Sequence, residues 1–152
     1  MPIDHDHFMR LALDEAARSH EAGNIAVGAV LVQGDTLVAR GRNLVTSTHD
    51  PTAHAETVAI REAGAALQQV DFTGYALYTT FEPCPMCCGA ILNSGISTLV
   101  MGARYDPAQT RWAGYTVEAL IELTGRRAAI EVVTGVLVQP CFDIWHTSTT
   151  GR

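Results

Sequence analysis

The sequence predicts an α/β fold in which helices cover a mixed β-sheet. A helical apolar period opens the chain, two β-branched runs around a Gly-containing turn follow it, and later apolar runs alternate with helix-forming segments. Strands of a hairpin are antiparallel, whereas strands joined through a helix are parallel. We therefore expect a sheet that is antiparallel at its start and parallel in its later half.

The first helix and a hairpin account for the opening 42 residues. Residues 4–22 carry apolar side chains at helical spacing, and Gly23 with Asn24 supplies a stop signal. Residues 25–32 and 36–42 are rich in apolar and β-branched side chains, with a tight turn between them. This order predicts a helix followed by two antiparallel strands.

A second helix is predicted over residues 53–67. The segment has strong helix formers and an apolar face, and Asp50 or Thr52 is positioned to cap it. His54 and Glu56 therefore fall in its first turn.

The rest of the chain alternates strands with helices. Pro83 and Pro85 are typical of a helix start and predict a helix that ends at residue 93. The other predicted elements are strands at 75–80, 98–102 and 130–138, a short helix at 117–123 and a C-terminal tail at 139–152.

Composition indicates one compact domain over residues 1–152. The chain is 47% hydrophobic and 17% charged, and a protein of this length buries roughly 68–70% of the surface of its unfolded chain. No apolar run reaches the ~18 residues of a membrane span, so we expect no membrane partner. Acids replace the basic start of a secretory signal, so we expect a cytoplasmic protein.

Net charge disfavours a polyanionic partner. Ten basic and sixteen acidic side chains give a formal charge of −6. Nucleic-acid affinity depends largely on neutralising phosphates with Lys and Arg. We therefore do not expect a nucleic-acid partner, and small uncharged or cationic substrates fit better.

Two short runs contain the residue types of a hydrolytic zinc centre. His54-Ala55-Glu56 supplies an imidazole and a carboxylate, and the run from Pro83 to Cys87 supplies two thiols three residues apart. A catalytic zinc site keeps three protein ligands and leaves the fourth position for water. The sequence thus predicts one Zn²⁺ per chain held by His54, Cys84 and Cys87, with Glu56 free to transfer protons.

Two other interpretations of the cysteine pair remain open. A C-x-x-C run also occurs in structural zinc knuckles and in redox pairs. A structural site needs a fourth ligand, but Cys88 should point about 100° away from Cys87 on a helix, and Cys141 is remote in sequence. Neither interpretation explains the histidine and glutamate of the first run.

The two runs together form the H-x-E…P-C-x-x-C signature of zinc deaminases. From the first helix to Arg104 the chain resembles the cytidine and deoxycytidylate deaminase superfamily. The string Asp50 to Glu56 is similar to the branch that holds bacterial guanine deaminases and tRNA adenosine deaminases, and the string Leu77 to Cys84 also resembles fungal cytosine deaminase. True cytidine deaminases usually have Cys in place of His54.

The resemblance implies a three-layer α-β-α fold with a five-stranded mixed sheet. It also implies that zinc generates a hydroxide, and that Glu56 accepts the proton and returns protons to a ring nitrogen and to the leaving amine. Asn43 matches a family asparagine that hydrogen-bonds the heterocycle. The Ala55 N–H lies at a helix start and can donate to the substrate ring.

The expectation about the substrate comes from the C-terminal third of the chain. Trp112 can stack on a ring or line a subunit contact, with core packing as the alternative. Phe142 and Asp143 begin a stretch similar to the end of fungal cytosine deaminase, and Asp143 can accept a hydrogen bond from an exocyclic amine. We therefore expect residues 139–152 to close the substrate pocket, although a surface tail has the same pattern.

These features predict a deaminase of a free amino-heterocycle, namely cytosine, 5-azacytosine, a related s-triazine, or guanine. A tRNA adenosine deaminase is the alternative within enzymes, but the chain lacks the basic C-terminal helix expected for tRNA binding. A non-catalytic zinc-stabilised interaction module is the alternative from another class. The resemblance also implies a homodimer.

Overall fold

The computed structural model describes residues 2–150, and within them five strands form one mixed sheet. The predicted α/β fold is thereby confirmed. The spatial order is β2-β1-β3-β4-β5; β1 is antiparallel to both neighbours, whereas β3, β4 and β5 are parallel. The strands are β1 (Gly28–Gln33), β2 (Thr36–Arg42), β3 (Tyr75–Phe81), β4 (Thr98–Ala103) and β5 (Glu131–Val133).

Helices cover both faces of the sheet, which gives the expected three layers. One buried cluster joins the first and last helices to one face, and a second joins the third, fourth and fifth helices to the other. The helices are α1 (His5–Glu21), α2 (Val45–Thr48), α3 (Ala55–Leu67), α4 (Pro85–Asn93), α5 (Val117–Leu123) and α6 (Val138–Thr149). Of the described helices, none has both the length and the apolar character needed to cross a bilayer.

Gly41 sets the position of α3 against the sheet. A Cβ at this residue would overlap the Ala55 carbonyl oxygen and the Ala59 amide nitrogen of the helix. The absence of a side chain therefore lets α3 pack directly on β2. Because α3 begins at Ala55, this close approach also fixes the helix start that carries Glu56.

The start of α3 differs from the prediction. Its N-cap residue is His54, in an extended conformation (φ −74°, ψ 155°), rather than Asp50 or Thr52. Asp50 instead accepts hydrogen bonds from the Thr52 amide (2.8 Å) and hydroxyl (2.7 Å). This local turn uses the acceptor that would have capped the helix.

The C-terminal region also differs from the prediction. The last strand ends at Val133, because Gly135 (φ +82°) and Leu137 (φ +49°) leave the extended region. The predicted tail forms α6 up to Thr149 and packs on α1, β3 and β4. Residues 151 and 152 of that tail lie outside the described residues, as does residue 1.

Candidate metal centre and cavity

The candidate metal ligands lie at the starts of α3 and α4. His54 is the N-cap residue of α3, and Cys84 is the N-cap residue of α4, also extended (φ −66°, ψ 170°). Within residues 2–150 neither side chain caps its own helix. Their imidazole and thiol are therefore available to a ligand at the carboxyl end of β3, where open α/β sheets bind ligands.

His54, Cys84 and Cys87 form a compact donor group. The His54 Nδ1 atom lies 3.5 Å from the Cys84 Sγ atom and 3.4 Å from the Cys87 Sγ atom. All three donor atoms lie within 4.8 Å of one another. Tetrahedral zinc with Zn–S near 2.3 Å and Zn–N near 2.0–2.1 Å separates such donors by about 3.5 Å. The residues present therefore fit one zinc ion.

The two remaining cysteines do not complete this group. Cys88 is buried beside Tyr115. Cys141 packs against Gly102 with the cluster on the other side of the sheet. Among the described residues the donor set thus has three members, which is the number found in catalytic rather than structural zinc sites.

The two ligand thiols differ in their protonation. The hydrogen bond from Cys87, and then that from His54, lower the pKa of Cys84 to about 4. The hydrogen bond with Cys84, and then burial, raise the pKa of Cys87. The hydrogen bond with Cys84 raises the pKa of His54. Cys84 therefore carries the thiolate before metal binds.

Zinc affinity should rise with pH, because protonated ligand side chains must release their protons when zinc binds. Cys84 releases no proton at neutral pH, Cys87 releases one, and His54 releases a second wherever the pH lies below its raised pKa. Each released proton increases affinity about tenfold per pH unit, so log Ka should have a slope of about one above the His54 pKa and approach about two below it. Competition with a chromophoric chelator between pH 6 and 8 measures this slope, and a pH-independent affinity would contradict it.

Glu56 lies next to the donor group and is almost fully buried. Its Oε1 atom accepts a hydrogen bond of 2.8 Å from the Thr79 hydroxyl. Burial raises the pKa of Glu56, and the hydrogen bond from Thr79 opposes that effect. A carboxyl group with a raised pKa exchanges protons more readily near neutral pH, which suits a general acid and base.

Glu82 fixes the segment that carries Cys84. This buried carboxylate accepts hydrogen bonds from the Arg104 side chain (3.0 and 3.2 Å) and from the amides of Tyr105 (3.2 Å) and Val117 (3.0 Å). Its role was not predicted from the sequence. The available signal was an acidic residue directly after an apolar strand. A carboxylate buried at such a position needs hydrogen-bond donors around it.

A cavity of about 980 Å³ opens above the donor group. Polar side chains of His54, Glu56 and Cys84 form one part of its wall. Aromatic side chains from separate segments form another part: Phe81, Tyr105, Trp112, Phe142 and Trp145. An apolar cavity with a few converging polar groups is typical of a small-molecule or nucleotide site.

Asn43 and Ala55 both line this cavity, as does Trp112. The Asn43 Oδ1 atom accepts a hydrogen bond from the Val45 amide (3.0 Å). Within residues 2–150 its Nδ2 atom donates none, so that N–H group is available to a ligand. The Arg111 guanidinium lies 4.4 Å from the centre of the Trp112 ring at the same wall.

The two predicted residues of α6 are placed differently. Phe142 lines the cavity, and its ring stacks on His146 with the centroids 5.3 Å apart. Asp143 is exposed and accepts a hydrogen bond of 2.7 Å from Gln139 on its own helix. Within the described chain it does not line the cavity. Trp145, which stacks on Phe81 (centroids 4.6 Å apart), lies at the cavity instead.

Comparison with protein families gives a match over most of the chain. The family described as the cytidine and deoxycytidylate deaminase zinc-binding region matches residues 2–103. The tRNA-specific adenosine deaminase of Bacillus subtilis is 40% identical over 134 residues, which is 88% of this chain and 81% of the relative. The chloroplastic tRNA(adenine(34)) deaminase of Arabidopsis thaliana is 50% identical over 96 residues, or 63% of this chain, but the chain spans only 7% of that relative's length.

The chain is also similar to deaminases whose structures have been solved. A tRNA deaminase studied for A-to-I editing at the wobble position is 36% identical with a TM-score of 0.78, covering 91% of this chain and 98% of that one. The guanine deaminase of Nitrosomonas europaea is 27% identical with a TM-score of 0.84, covering 97% and 86%. The expected superfamily and its zinc-binding region are therefore confirmed.

The expected free-base substrate is wrong. Relatives that are 38–50% identical are named as tRNA deaminases, whereas two solved guanine deaminases are 27% and 30% identical. The expectation depended on the acidic net charge, on the lack of a basic C-terminal helix, and on the carboxylate of Asp143 closing the pocket. That carboxylate is held on the helix surface by Gln139.

The exclusion of a nucleic-acid partner is wrong for the same reason, because the relatives act on tRNA. The prediction was wrong because it used the net charge of the whole chain. Salt screens the interaction between charges that are more than about 8–10 Å apart. Only the local charge near the cavity bears on a bound polyanion.

Proposed function

The chain belongs to the cytidine and deoxycytidylate deaminase family, and we propose that it is a zinc-dependent enzyme that converts adenosine to inosine in tRNA. The observation that carries this proposal is the 40% identity to the Bacillus subtilis tRNA-specific adenosine deaminase over 88% of the chain. The relatives indicate the wobble adenine, at position 34, as the target base.

His54, Cys84 and Cys87 would hold the zinc ion. When bound, zinc supplies a Lewis acid that lowers the pKa of water toward about 7, so that hydroxide is available at neutral pH. Three protein ligands would leave one coordination position for water, and His54 and Cys84 line the same cavity as Glu56.

Glu56 would transfer the protons. Its carboxylate accepts the proton of the attacking water, as oxygen bonds to C6 of adenine. It returns that proton to ring nitrogen N1, then takes the proton of the new hydroxyl group on C6 and delivers it to the exocyclic nitrogen, so that the C6–N6 bond breaks and ammonia leaves. One water is consumed, and inosine and ammonia are the products.

Thr79 would keep the Glu56 carboxyl in place in both of its protonation states. The Thr79 hydroxyl lies 2.8 Å from Glu56 Oε1 and 3.0 Å from the Phe81 carbonyl oxygen. Its single proton can serve one acceptor at a time. It donates to Glu56 when that group is ionised, and it accepts from protonated Glu56 while donating to Phe81.

The cavity walls would hold the base outside its stack. Enzymes that modify a base take it into a pocket, where it stacks on aromatic side chains and hydrogen-bonds through its edge. Asn43 Nδ2 and the first-turn Ala55 N–H are donors that suit the acceptor nitrogens of adenine. Trp112 and Phe142 supply aromatic surface at separate parts of the wall.

We also propose that residues 1–152 act as a single deaminase domain in which the segment 139–152, largely α6, helps to close the cavity. Phe142 and Trp145 both line it from this helix. Asp143 remains a predicted substrate contact that would need a change in its bond to Gln139. The homodimer stays a prediction.

A substrate panel tests the proposed function. Zinc-loaded protein is incubated with a tRNA transcript carrying adenosine at position 34, with adenosine, and with free adenine, guanine and cytosine, and ammonia release is measured. We expect the highest kcat/KM with the tRNA. Turnover of guanine or cytosine without turnover of the tRNA would overturn the proposal, and silence with every substrate would favour a non-catalytic zinc module.

A further inference from the structure

Three arginine side chains meet around one carboxylate at the face formed by α1 and β2. Three arginines surround the buried carboxylate of Glu15 on α1, and we call Arg18, Arg40 and Arg42 the arginine patch. The guanidinium nitrogens lie 3.2 Å (Arg18), 3.6 Å (Arg40) and 3.7 Å (Arg42) from the Glu15 oxygens. Three cations around one anion leave a local excess of positive charge.

Arg40 and Arg42 are largely free to bind another anion. Their separations from Glu15 are too long for good hydrogen bonds. Within residues 2–150, the structure shows no hydrogen bond donated by either side chain. A guanidinium carries five N–H donors in a planar fork that matches phosphate oxygens. Each side chain is 39% exposed, so these donors are accessible.

The other ion pairs of the described chain have no such excess. Arg104 lies between two carboxylates, those of Glu82 and Glu118, and Arg127 pairs with Glu122 alone. In a chain of net charge −6, three of the five arginines that form ion pairs within residues 2–150 thus share one carboxylate.

The arginine patch lies close to the cavity along the chain, although its side chains are not part of the cavity wall. Arg40 and Arg42 lie on β2, the edge strand of the sheet, and point to the α1 side. Arg42 immediately precedes Asn43, which lines the cavity. Since a strand rises about 3.3 Å per residue, Arg40 lies about 10 Å along the chain from that cavity residue.

We propose that the arginine patch binds the phosphate backbone of the tRNA whose base occupies the cavity. The inference rests on the proposed function, because it takes its partner from there. Arginine is suited to phosphate through paired N–H···O bonds. Glu15 holds the three guanidiniums together while neutralising only one of them, so the patch is positioned before the RNA arrives.

The experiment compares two matched double variants. Arg40→Gln/Arg42→Gln and the control Arg126→Gln/Arg127→Gln each remove two positive charges, and the control residues are exposed at a turn after α5. The affinity for tRNA is measured between 50 and 200 mM salt. For the patch variant the slope of log Ka against log salt should become shallower by about 1.4–1.8, because each phosphate that is no longer neutralised reduces it by about 0.7–0.9. The control should keep the wild-type slope.

A third variant separates charge from folding. Glu15→Gln removes the one negative charge at the centre of the patch, while its amide oxygen can still accept from Arg18, so tRNA binding should tighten in protein whose melting temperature is unchanged. Equal slopes in the two double variants, or weaker tRNA binding by Glu15→Gln at an unchanged melting temperature, would overturn the proposal. Capture of acidic protein but not of tRNA would overturn it too. Inosine formation by wild-type protein is scored separately, so failure of the patch proposal does not imply failure of the proposed function.

Discussion

Glu56→Gln should abolish deamination while leaving zinc bound. The amide has the shape of the carboxyl group and can still hydrogen-bond Thr79, but it cannot accept the water proton. General acid–base catalysis contributes about 10²–10⁴-fold, and since Glu56 serves several proton transfers we expect kcat to fall by about 10³–10⁴-fold. Inosine formation under single-turnover conditions, with zinc measured on the same sample, tests this.

Glu62→Gln is the matched control, because Glu62 lies on the same helix but is exposed. It should keep wild-type activity and zinc content. Retention of more than about a tenth of the wild-type kcat by Glu56→Gln would show that another group transfers the protons, since even the low end of the general range for acid–base catalysis is about 100-fold.

Cys87→Ser should remove both zinc and activity. A serine hydroxyl stays protonated at neutral pH, whereas the ligand form of cysteine is the thiolate. Two remaining ligands do not satisfy the count of a catalytic site. We expect zinc content to fall from one per chain to a small fraction, with deamination falling in proportion, as measured by elemental analysis of protein purified without added metal.

Cys88→Ala provides the comparison for the neighbouring position. Cys88 is buried beside Tyr115 and lies outside the donor group. Its replacement should cost about 1 kcal/mol of stability and leave zinc content unchanged. Stoichiometric zinc in Cys87→Ser, or zinc loss in Cys88→Ala, would mean that the ligand assignment is incorrect.

Local signals predicted most of the elements. The observed bounds of α1, β2 and α5 agree closely with the predicted bounds. The start of α3 was placed two residues early, because Asp50 has the residue type of a cap but is used in a turn with Thr52. Capping patterns show which residues can cap, and tertiary context decides which one does.

The metal group was predictable because its two runs lie at helix starts. Prolines and helix formers indicated those starts, and the parallel strands bring them to one end of the sheet. The hydrogen bonds of Glu56 and Glu82 were not predictable. Thr79 reaches Glu56 from β3, and Glu82, the residue after β3, accepts from the Val117 amide; such contacts depend on register and burial rather than on spacing along the chain.

The substrate could not be predicted from the composition of the chain. Net charge and an acidic residue at position 143 both indicated a small base, yet the carboxylate is held by Gln139 and positive charge is concentrated around Glu15. Both features depend on which side chains meet in the folded chain. A helix without basic residues at the C-terminus therefore does not exclude RNA when arginines lie elsewhere near the cavity.

The position of inosine in a treated tRNA is the sharpest test of the proposed function. A transcript with adenosine at position 34 is incubated with zinc-loaded protein, digested and sequenced by mass spectrometry, with the Glu56→Gln variant as blank. We expect a mass increase of about 1 Da at that nucleotide only, because N–H₂ is replaced by O–H on adenine. An unmodified tRNA, with ammonia released from free guanine or cytosine by the same protein, would show instead that the enzyme acts on free bases.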